Sequence, residues 1–513
     1  MKADVRDTIL DQVEKDLQFL LPVPNENVYG FGKQVARLAN LAKIVYEFQR
    51  HAPTNSQNDK EVHAKSKAAT GATNQQQKEK LDSLVMESSN LLYSYLSKFF
   101  HLIDSDNLVY DTNFGGIITW NGLLNMQEDF GNGWYNDHHF HYGYILYASA
   151  IMAKLNSTFV DEFGIHVDSL LNDVAHDSNQ DSNLVEGSFF PFTRHKSWFD
   201  GHSYASGLFP FADGKSQESS SEAVNCYYGA YLWTLISTKR RVEKERKNSV
   251  KARSMYKESM GRINFMKLLL AMEIRSTKTY WHMIPPSEAK VMNAVHSVQI
   301  YNPFFEKSLM IGNLGMMDVT VSTWFGKEEL YVHMINFLPV TAITKELFDP
   351  DYVKLEFKDV LDPIYDNVEM AWRGYVISDK AIIDPSSAWN DAKKLRSFEL
   401  DSAISQSQVY FWISTMDGFI APSSSSNEIN SAESDVEKDG DSWCVNNPVC
   451  LKEGLTGECC PTNKGILLGC CSAHSHLTNP QSSCEKHEKC QSSGLTGECC
   501  PTEDGGMLDC CGN

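Results

Sequence analysis

The run Asn136-Asp137-His138-His139-Phe140-His141-Tyr142-Gly143-Tyr144 sets one carboxylate and three imidazoles among aromatic rings. It follows directly on Phe130-Gly131-Asn132-Gly133-Trp134-Tyr135. Neither a solvated face nor an ordinary core is built this way. Rings with a few polar groups are the composition of a sugar-binding cleft, where aromatic faces stack on pyranose rings and polar groups hold hydroxyls. A carboxyl lodged among rings is desolvated, which raises its pKa and suits it to donate a proton near neutrality. A second segment, Asp213 to Ala223, holds Glu218 and Glu222 four residues apart, ahead of the apolar run Val224, Tyr227, Tyr228, Tyr231 and Leu232. Ser219 with Glu222 fits a capping box, so a helix is expected to start there. Its dipole then favours the ionised form of Glu222. One carboxyl pushed toward its acid form and another held as a base is the pairing that glycoside hydrolysis needs.

Each of these residues also has a plainer reading. Asp137 could be a helix N-cap or half of a core ion pair, and the capping box alone explains Glu222. Glu218 precedes the cap and has no helical duty. His138, His139 and His141 could bind zinc. However, helical spacing puts only His138 and His141 on one face, and no Cys or Glu ligand sits nearby, so hydrogen bonding to sugar or orientation of Asp137 is expected instead. Cys226 reads as a buried small hydrophobe on an apolar helix face rather than as a catalytic thiol. Asn156-Ser157-Thr158 has the form of a glycosylation sequon, a frequent chance match. Tyr280-Trp281 and Trp324 are open between stacking platforms and core. No cofactor and no metal is called for.

The same residues resemble glycoside hydrolase family 81, the endo-β-1,3-glucanases. The matching pieces are Tyr110-Asp111-Thr112 with Gly115-Gly116, then Tyr135 to Tyr144. Gly201-His202-Ser203, Asp213-Gly214-Lys215, Gln217 to Ala223, Thr323-Trp324-Phe325-Gly326 and Leu338-Pro339 follow in the family's order. The resemblance runs from about Asp4 to Trp412 and implies an inverting hydrolase that cuts inside β-1,3-glucan chains. It implies Asp137 as general acid and Glu218 and Glu222 as the essential glutamates, with the choice of base between them open. It further implies His141, Tyr135, Asn136, His202, Asp213 and Lys215 as residues against the substrate. Tyr204 stands where the family usually has Trp, and Met334 where it usually has Gly. The family's usual N-terminal β-sandwich has no counterpart here.

Bulk properties agree. A net charge of −20, from 66 acids against 46 bases, opposes nucleic-acid binding, which asks for a basic surface. A neutral polysaccharide asks for no charge match. No apolar run approaches the roughly 20 residues of a membrane span. Met1 to Asp7 lacks the apolar stretch of a signal peptide; Val5, Ile9, Val13 and Leu17 instead recur at helical spacing.

The elements expected to carry the site are helices at 4–21 and 31–48, split by Pro22 and Pro24, and at 81–100, 137–154, 222–238, 250–274 and 326–337. Residues 53–80 read as a polar, low-complexity loop insertion. Repeated helices with ring-bearing connectors imply a mainly α fold, and the family resemblance makes it an (α/α)6 barrel spanning residues 1–420. Residues 421–443 form an acidic, Ser-rich linker, with six acids against Lys438 within 421–442.

Two copies of one cysteine pattern follow, at 444–471 and 484–511. Cys444, Cys450, Cys459-Cys460 and Cys470-Cys471 are spaced as are Cys484, Cys490, Cys499-Cys500 and Cys510-Cys511, and each copy contains Gly-Leu-Thr-Gly-Glu-Cys-Cys-Pro-Thr. With too few apolar residues for a core, disulfides must supply the order. Zinc knots prefer a C-x2-C spacing that is absent. Such bridges need an oxidising compartment, so an extracellular or cell-wall location is expected, with the tail as a possible polysaccharide or wall attachment. The natural N-terminus is then expected upstream of Met1. The runner-up reading is a non-catalytic β-glucan-binding or wall-associated cysteine-rich protein.

Overall fold

The helices are of two kinds, and they alternate along the chain. Leaving aside three short helical turns at Trp120–Leu124, Pro286–Ala289 and Thr344–Leu347, they are in chain order α1 (Ala3–Phe19), α2 (Val28–Arg50), α3 (Lys67–His101), α4 (His138–Leu155), α5 (Thr158–Ala175), α6 (Ser220–Lys244), α7 (Ser249–Tyr280), α8 (Glu329–Ile335), α9 (Pro350–Glu356), α10 (Met370–Lys380), α11 (Pro385–Ala392) and α12 (Gln406–Ser414). The odd-numbered helices are amphipathic, although the last turns of α5 are buried all round, from Leu170 through Ala175. In α1 only one stripe is buried, Val5, Ile9, Val13 and Leu17 among it, and α11 buries Pro385, Ala388, Trp389 and Ala392. The even-numbered helices hold continuous buried runs, from His138 through Ala153 in α4 and from Ser220 through Tyr227 in α6. A stripe marks a helix with one face in water, and a run buried all round marks one enclosed by others.

The packing follows that division. α2 packs on α4, α4 on α6, α8 on α10, α10 on α12, and α12 back on α2. The step from α6 to α8 is made by hydrogen bonds. Ser219 Oγ donates to the Ile335 carbonyl at 2.8 Å, the Ser220 amide to Asn336 Oδ1 at 3.0 Å, and Ser221 Oγ to the Leu338 carbonyl at 2.5 Å. The even helices therefore make a closed circuit, with α1, α3, α5, α7 and α11 laid against it.

This computed structural model describes residues 1–420 apart from 23–26, 52–66, 102–107, 126, 178–188, 212–213, 246–248 and 290–302. The chain divides near Pro422. The linker 421–443 and both cysteine-rich repeats lie outside the described residues, as does Pro24. Two small antiparallel sheets complete the described part. One is a hairpin of β1 (Leu108–Asp111) and β2 (Gly116–Thr119), pairing Asp111 with Gly116. The other joins β3 (Ser216–Gln217), β4 (Asn313–Gly315) and β5 (Val319–Thr320).

One expectation is corrected. Residues 67–80, read as part of a polar loop, are the first turns of α3. Gln, Lys and Glu are good helix formers whether or not they pack. Gln75 bonds Glu79 one turn on, and Lys80 pairs with Asp11 and Glu14 of α1 at 2.7 Å each. Burial then begins with Leu81 and Leu84, which is where the apolar periodicity first became readable. Helix α8 is shorter than the 326–337 expected, because Thr323 and Gly326 close a turn ahead of it.

Helices α4 and α6, which both carry site residues, approach one another closely. A methyl group on Gly143 would meet the Cys226 Cα and Cβ at 2.8 Å. Across the same seam a methyl on Gly229 would lie 2.8 Å from the Tyr147 amide. Alanine in a helix interior is intrinsically better than glycine by about 1 kcal/mol, but overpacking against backbone that cannot swing aside costs about 1–3 kcal/mol. Gly143→Ala is therefore expected to lower the unfolding free energy. In α7, Gly261 has nothing within 4 Å of a built Cβ, so Gly261→Ala is expected to raise it by up to about 1 kcal/mol. Denaturant titration of the two variants checks both signs.

Candidate active site

The segment before α4 folds through a cluster of left-handed residues. Asp129, Phe130, Gly131, Tyr135 and Asp137 have φ of 48, 58, 83, 66 and 59°. For the non-glycine members this conformation costs about 1–3 kcal/mol each and persists only where surroundings dictate it. Asn132, fully buried, supplies much of that constraint. Its Oδ1 accepts the Thr119 amide at 2.7 Å, and its Nδ2 reaches the Tyr142 hydroxyl at 3.2 Å and His141 Nδ1 at 3.4 Å. His138 bridges onward, with Nε2 2.8 Å from the Asn132 carbonyl and Nδ1 2.6 Å from Asp173 Oδ2. Both partners are acceptors, so both ring nitrogens must carry hydrogen to satisfy them. Asp173 also accepts the Ile117 amide at 2.9 Å and faces Arg194. Burial would raise its pKa, but His138 and Arg194 outweigh that and hold it below the usual carboxylate range.

Asp137 is the N-cap residue of α4, but its side chain caps nothing. Its amide donates to the Ala205 carbonyl at 2.9 Å, and the carboxyl is left facing a cleft of about 690 Å³. Rings of Tyr29, Phe130, Trp134, Phe140, Phe209, Phe211, Trp324 and Phe325 line that cleft, with Asn136, Asp137, His141, Glu218 and Glu222 as polar groups among them. The three carboxylates thus arrive from three places: the cap of α4, the exit of β3 and the first turn of α6.

Their environments differ. Burial, with the neighbouring charges of Glu218 and Glu222 added, lifts the Asp137 carboxyl well above the aspartate range. Glu218 is pushed up to about 7 by burial, against a 2.6 Å hydrogen bond from the Trp324 amide and with help from Glu222. Glu222 Oε1 accepts both the Tyr29 hydroxyl at 2.9 Å and the Tyr144 hydroxyl at 2.8 Å. Ser219 caps α6 on the Glu222 amide, as the spacing predicts. The helix start was expected to favour the carboxylate of Glu222. Burial outweighs it, so the pKa of Glu222 is raised, although Lys33, Ser219, Tyr144 and Tyr29 pull it down. His141 stands with its ring against Tyr29 and Phe130 at 5.2 and 5.9 Å. Burial first, then His138 and His139, keep it well below the ordinary imidazole range, so it is neutral near pH 7.

The remaining expected site residues separate. Asn136 lines the cleft and braces its wall, its Oδ1 accepting the Gly207 amide at 2.8 Å. Tyr135 does not line it. The ring is buried under the Arg194 guanidinium, 4.0 Å from its centroid, and the hydroxyl donates to Asp111 at 2.8 Å. His202 is likewise buried, among Tyr204, Tyr280 and Trp281. Lys215 is half-buried outside the cleft lining, and Asp213 lies outside the described residues. Trp281 is core and Trp324 is cleft. Burial raises the pKa of the Cys226 thiol, the opposite of an activated nucleophile. No group of three potential metal ligands occurs among the described residues.

Sequence reasoning did not find Tyr29, Tyr144 and Lys33 around Glu222, or Asn132 and Asp173 beneath Asp137. Tyr144 and Asn132 belonged to the singled-out motif and could have been weighed; the others carry no local signal.

Residues 1–413 match the profile of the "Glycosyl hydrolase family 81 C-terminal domain". The chain belongs to glycoside hydrolase family 81. Among its relatives, glucan endo-1,3-beta-D-glucosidase 2 of Saccharomyces cerevisiae is 28% identical over 60% of this chain and 36% of its own length. A glucan endo-1,3-beta-D-glucosidase of Glycine max is 26% identical over 80% of this chain and 53% of its own. The chain therefore spans about half or less of the length of these relatives. In fold it is similar to a family 81 glycoside hydrolase from Clostridium thermocellum, solved as a Glu→Ala mutant. The TM-score is 0.54 at 22% identity, covering 80% of this chain and 47% of that one.

Glu218 yields a stability test for this family 81 site. Its folded-state pKa of about 7 lies above the ordinary 4.5, so the folded state holds the proton more tightly. The associated stability is complete below the unfolded value and is lost as pH rises through about 7. Glu218→Gln keeps an acceptor for the Trp324 amide and removes the charge. The variant is expected to match wild type at pH 4 and to exceed it at pH 8 by about 2 kcal/mol, a figure reduced for partial exposure. Denaturant midpoints at both pH values check it.

Proposed function

We propose that the chain hydrolyses internal β-1,3-glucosidic bonds of β-1,3-glucans with inversion at the anomeric carbon. The observation that carries this reading is the convergence of Asp137, Glu218 and Glu222 on one ring-lined cleft, with Asp137 lifted well above the aspartate range. The names of the family 81 relatives support the choice of bond and substrate. The alternating helix circuit supports reading the fold as an (α/α)6 toroid with the cleft across one mouth.

In this mechanism the neutral Asp137 carboxyl gives its proton to the glycosidic oxygen as the bond to the anomeric carbon breaks. A water enters on the opposite face of the sugar and surrenders its proton to Glu218 or Glu222. The products are a shortened chain with a new non-reducing end and a fragment with an inverted reducing end. Glu222 is steadied by Tyr29 and Tyr144. Glu218 is held at one oxygen by the Trp324 amide, and no described residue bonds the other. The neutral ring of His141 offers a hydrogen-bond partner without adding positive charge beside the acid.

Incubation with laminarin and assay of reducing ends tests the reading: new ends support it, and binding without hydrolysis would leave only a glucan-binding protein. Asp137→Asn keeps shape and hydrogen bonding but loses the proton. It is expected to lower kcat by about 10²–10⁴-fold while glucan still binds; a near-normal kcat would remove Asp137 from the acid role. Proton NMR of the first product formed is expected to show the α-anomer, since inverting enzymes leave room for a water between their carboxyls.

The repeats at 444–471 and 484–511 are read as disulfide modules, so the chain is proposed to work outside the cell or in a wall. Support comes from the twelve cysteines repeating one spacing and the oxidising compartment that bridges require. Among the described residues no helix is long and apolar enough to cross a membrane. Non-reducing mass spectrometry of the native protein is expected to find no free thiol beyond Cys226; free thiols throughout the repeats would contradict the modules.

A further inference from the structure

Outside the cleft, the turn between Lys196 and Ser203 presents aromatic rings to water. Phe199 at its tip is 98% exposed, Trp198 44% and Phe192 46%. Scattered apolar residues on a surface need no explanation, but a contiguous exposed patch does. Here three rings are contiguous: Trp198 lies nearly parallel to each of the other two, which are tilted by 35° from one another. Phe192 lies 5.3 Å from Trp198 at 13°, and Trp198 lies 6.3 Å from Phe265 of α7 at 22°.

The rings are held in place. Trp198 Nε1 donates to Thr193 Oγ1 at 2.9 Å, fixing the indole. The turn is closed by the Gly201 amide on the Ser197 carbonyl at 2.9 Å, with Gly201 at φ 86°. Ser276 of α7 donates to the Asp200 carbonyl at 3.0 Å, tying the turn to the helix that carries Phe265. An indole that is 44% exposed and fixed in this way loses little entropy when something binds it.

We infer that Phe192, Trp198 and Phe265, with Phe199 beside them, form a second binding surface for a β-1,3-glucan chain, distinct from the catalytic cleft. The inference rests on the proposed substrate of the cleft. Flat rings match the apolar faces of pyranoses, as they do within the cleft. The charged group on the turn is the Asp200 carboxylate, which accepts from Ser197 and Tyr204 and suits a hydroxylated neutral ligand better than an anionic one. The segment leaving the turn runs through Tyr204 into Ala205 and Ser206, which line the cleft. The surface and the cleft wall therefore belong to one stretch of chain. A polymer cut internally extends beyond the cleft that cuts it, and rings on an adjoining stretch can hold what extends.

The test compares wild type, Trp198→Ala, Phe199→Ala and Trp198→Phe as full chains. Depletion from solution onto insoluble β-1,3-glucan particles gives affinity, and hydrolysis of a six-sugar β-1,3-glucan oligosaccharide gives cleft function. Trp198→Ala is expected to weaken particle binding about tenfold, the scale of one lost aromatic contact, with kcat/KM on the oligosaccharide unchanged. Phe199→Ala is expected to act in the same direction, and Trp198→Phe to keep most of the binding. Unchanged particle binding in Trp198→Ala overturns the inference. So does concentration-dependent self-association of wild type that Trp198→Ala abolishes, which would make the patch a protein-docking face. Failure of wild type to cleave the oligosaccharide, with particle binding still dependent on Trp198, would sink the hydrolase reading and leave the surface standing.

Discussion

The site depends on a stretch of backbone that would not hold its shape alone. Four non-glycine residues between Asp129 and Asp137 adopt left-handed conformations, each unfavourable by about 1–3 kcal/mol. The offset comes from beneath. Asn132 is satisfied on several sides, and the His138–Asp173 pair, buried completely, ties the start of α4 to α5 and to the β1–β2 hairpin. Breaking a buried ion pair costs more than such a pair contributes, because the surviving partner is left uncompensated. The loop is therefore fixed as a unit, and Asp137 is aimed into the cleft by backbone geometry rather than by any bond of its own carboxyl.

That freedom is what makes the electrostatics work. With no hydrogen bond from the described residues to steady a charge, and with Glu218 and Glu222 nearby, Asp137 favours its neutral form. Glu222 has two tyrosine hydroxyls and the influence of Lys33 to favour its charge. The glycine seam at Gly143 and Gly229 lets α4 and α6, which carry the two at their starts, approach closely.

The long helices were legible from the sequence because their apolar spacing is regular, as in α1 and in the buried runs of α4 and α6. The first turns of α3 were not, because Gln75 to Lys80 carry no apolar stripe and their pairing with α1 is tertiary. Helix α5 and the short helices from Pro350 on also went unread; of these, α9 and α11 begin on a proline. At the site, Asp137, Glu218 and Glu222 could be singled out because local context marks a carboxyl among rings or a cap. Tyr29 and Lys33 could not, since their partners Glu222 and Asp401 lie far along the chain and no spacing rule reaches them. Tyr135 and His202 share the composition of a cleft yet are buried beside it. Residue type gives the neighbourhood, but which side of a wall a ring faces is decided by packing.

The most direct test of this account is the protonation state of Asp137 in the folded chain. Carbon-13 labelling of aspartate carboxyls, with the Asp137→Asn variant to identify the signal, allows its titration to be followed by NMR. The account predicts a carboxyl that remains protonated well above the usual aspartate range and whose titration shifts downward when Glu218 is replaced by Gln. A carboxyl that titrates at its ordinary value of 3.8 would contradict it.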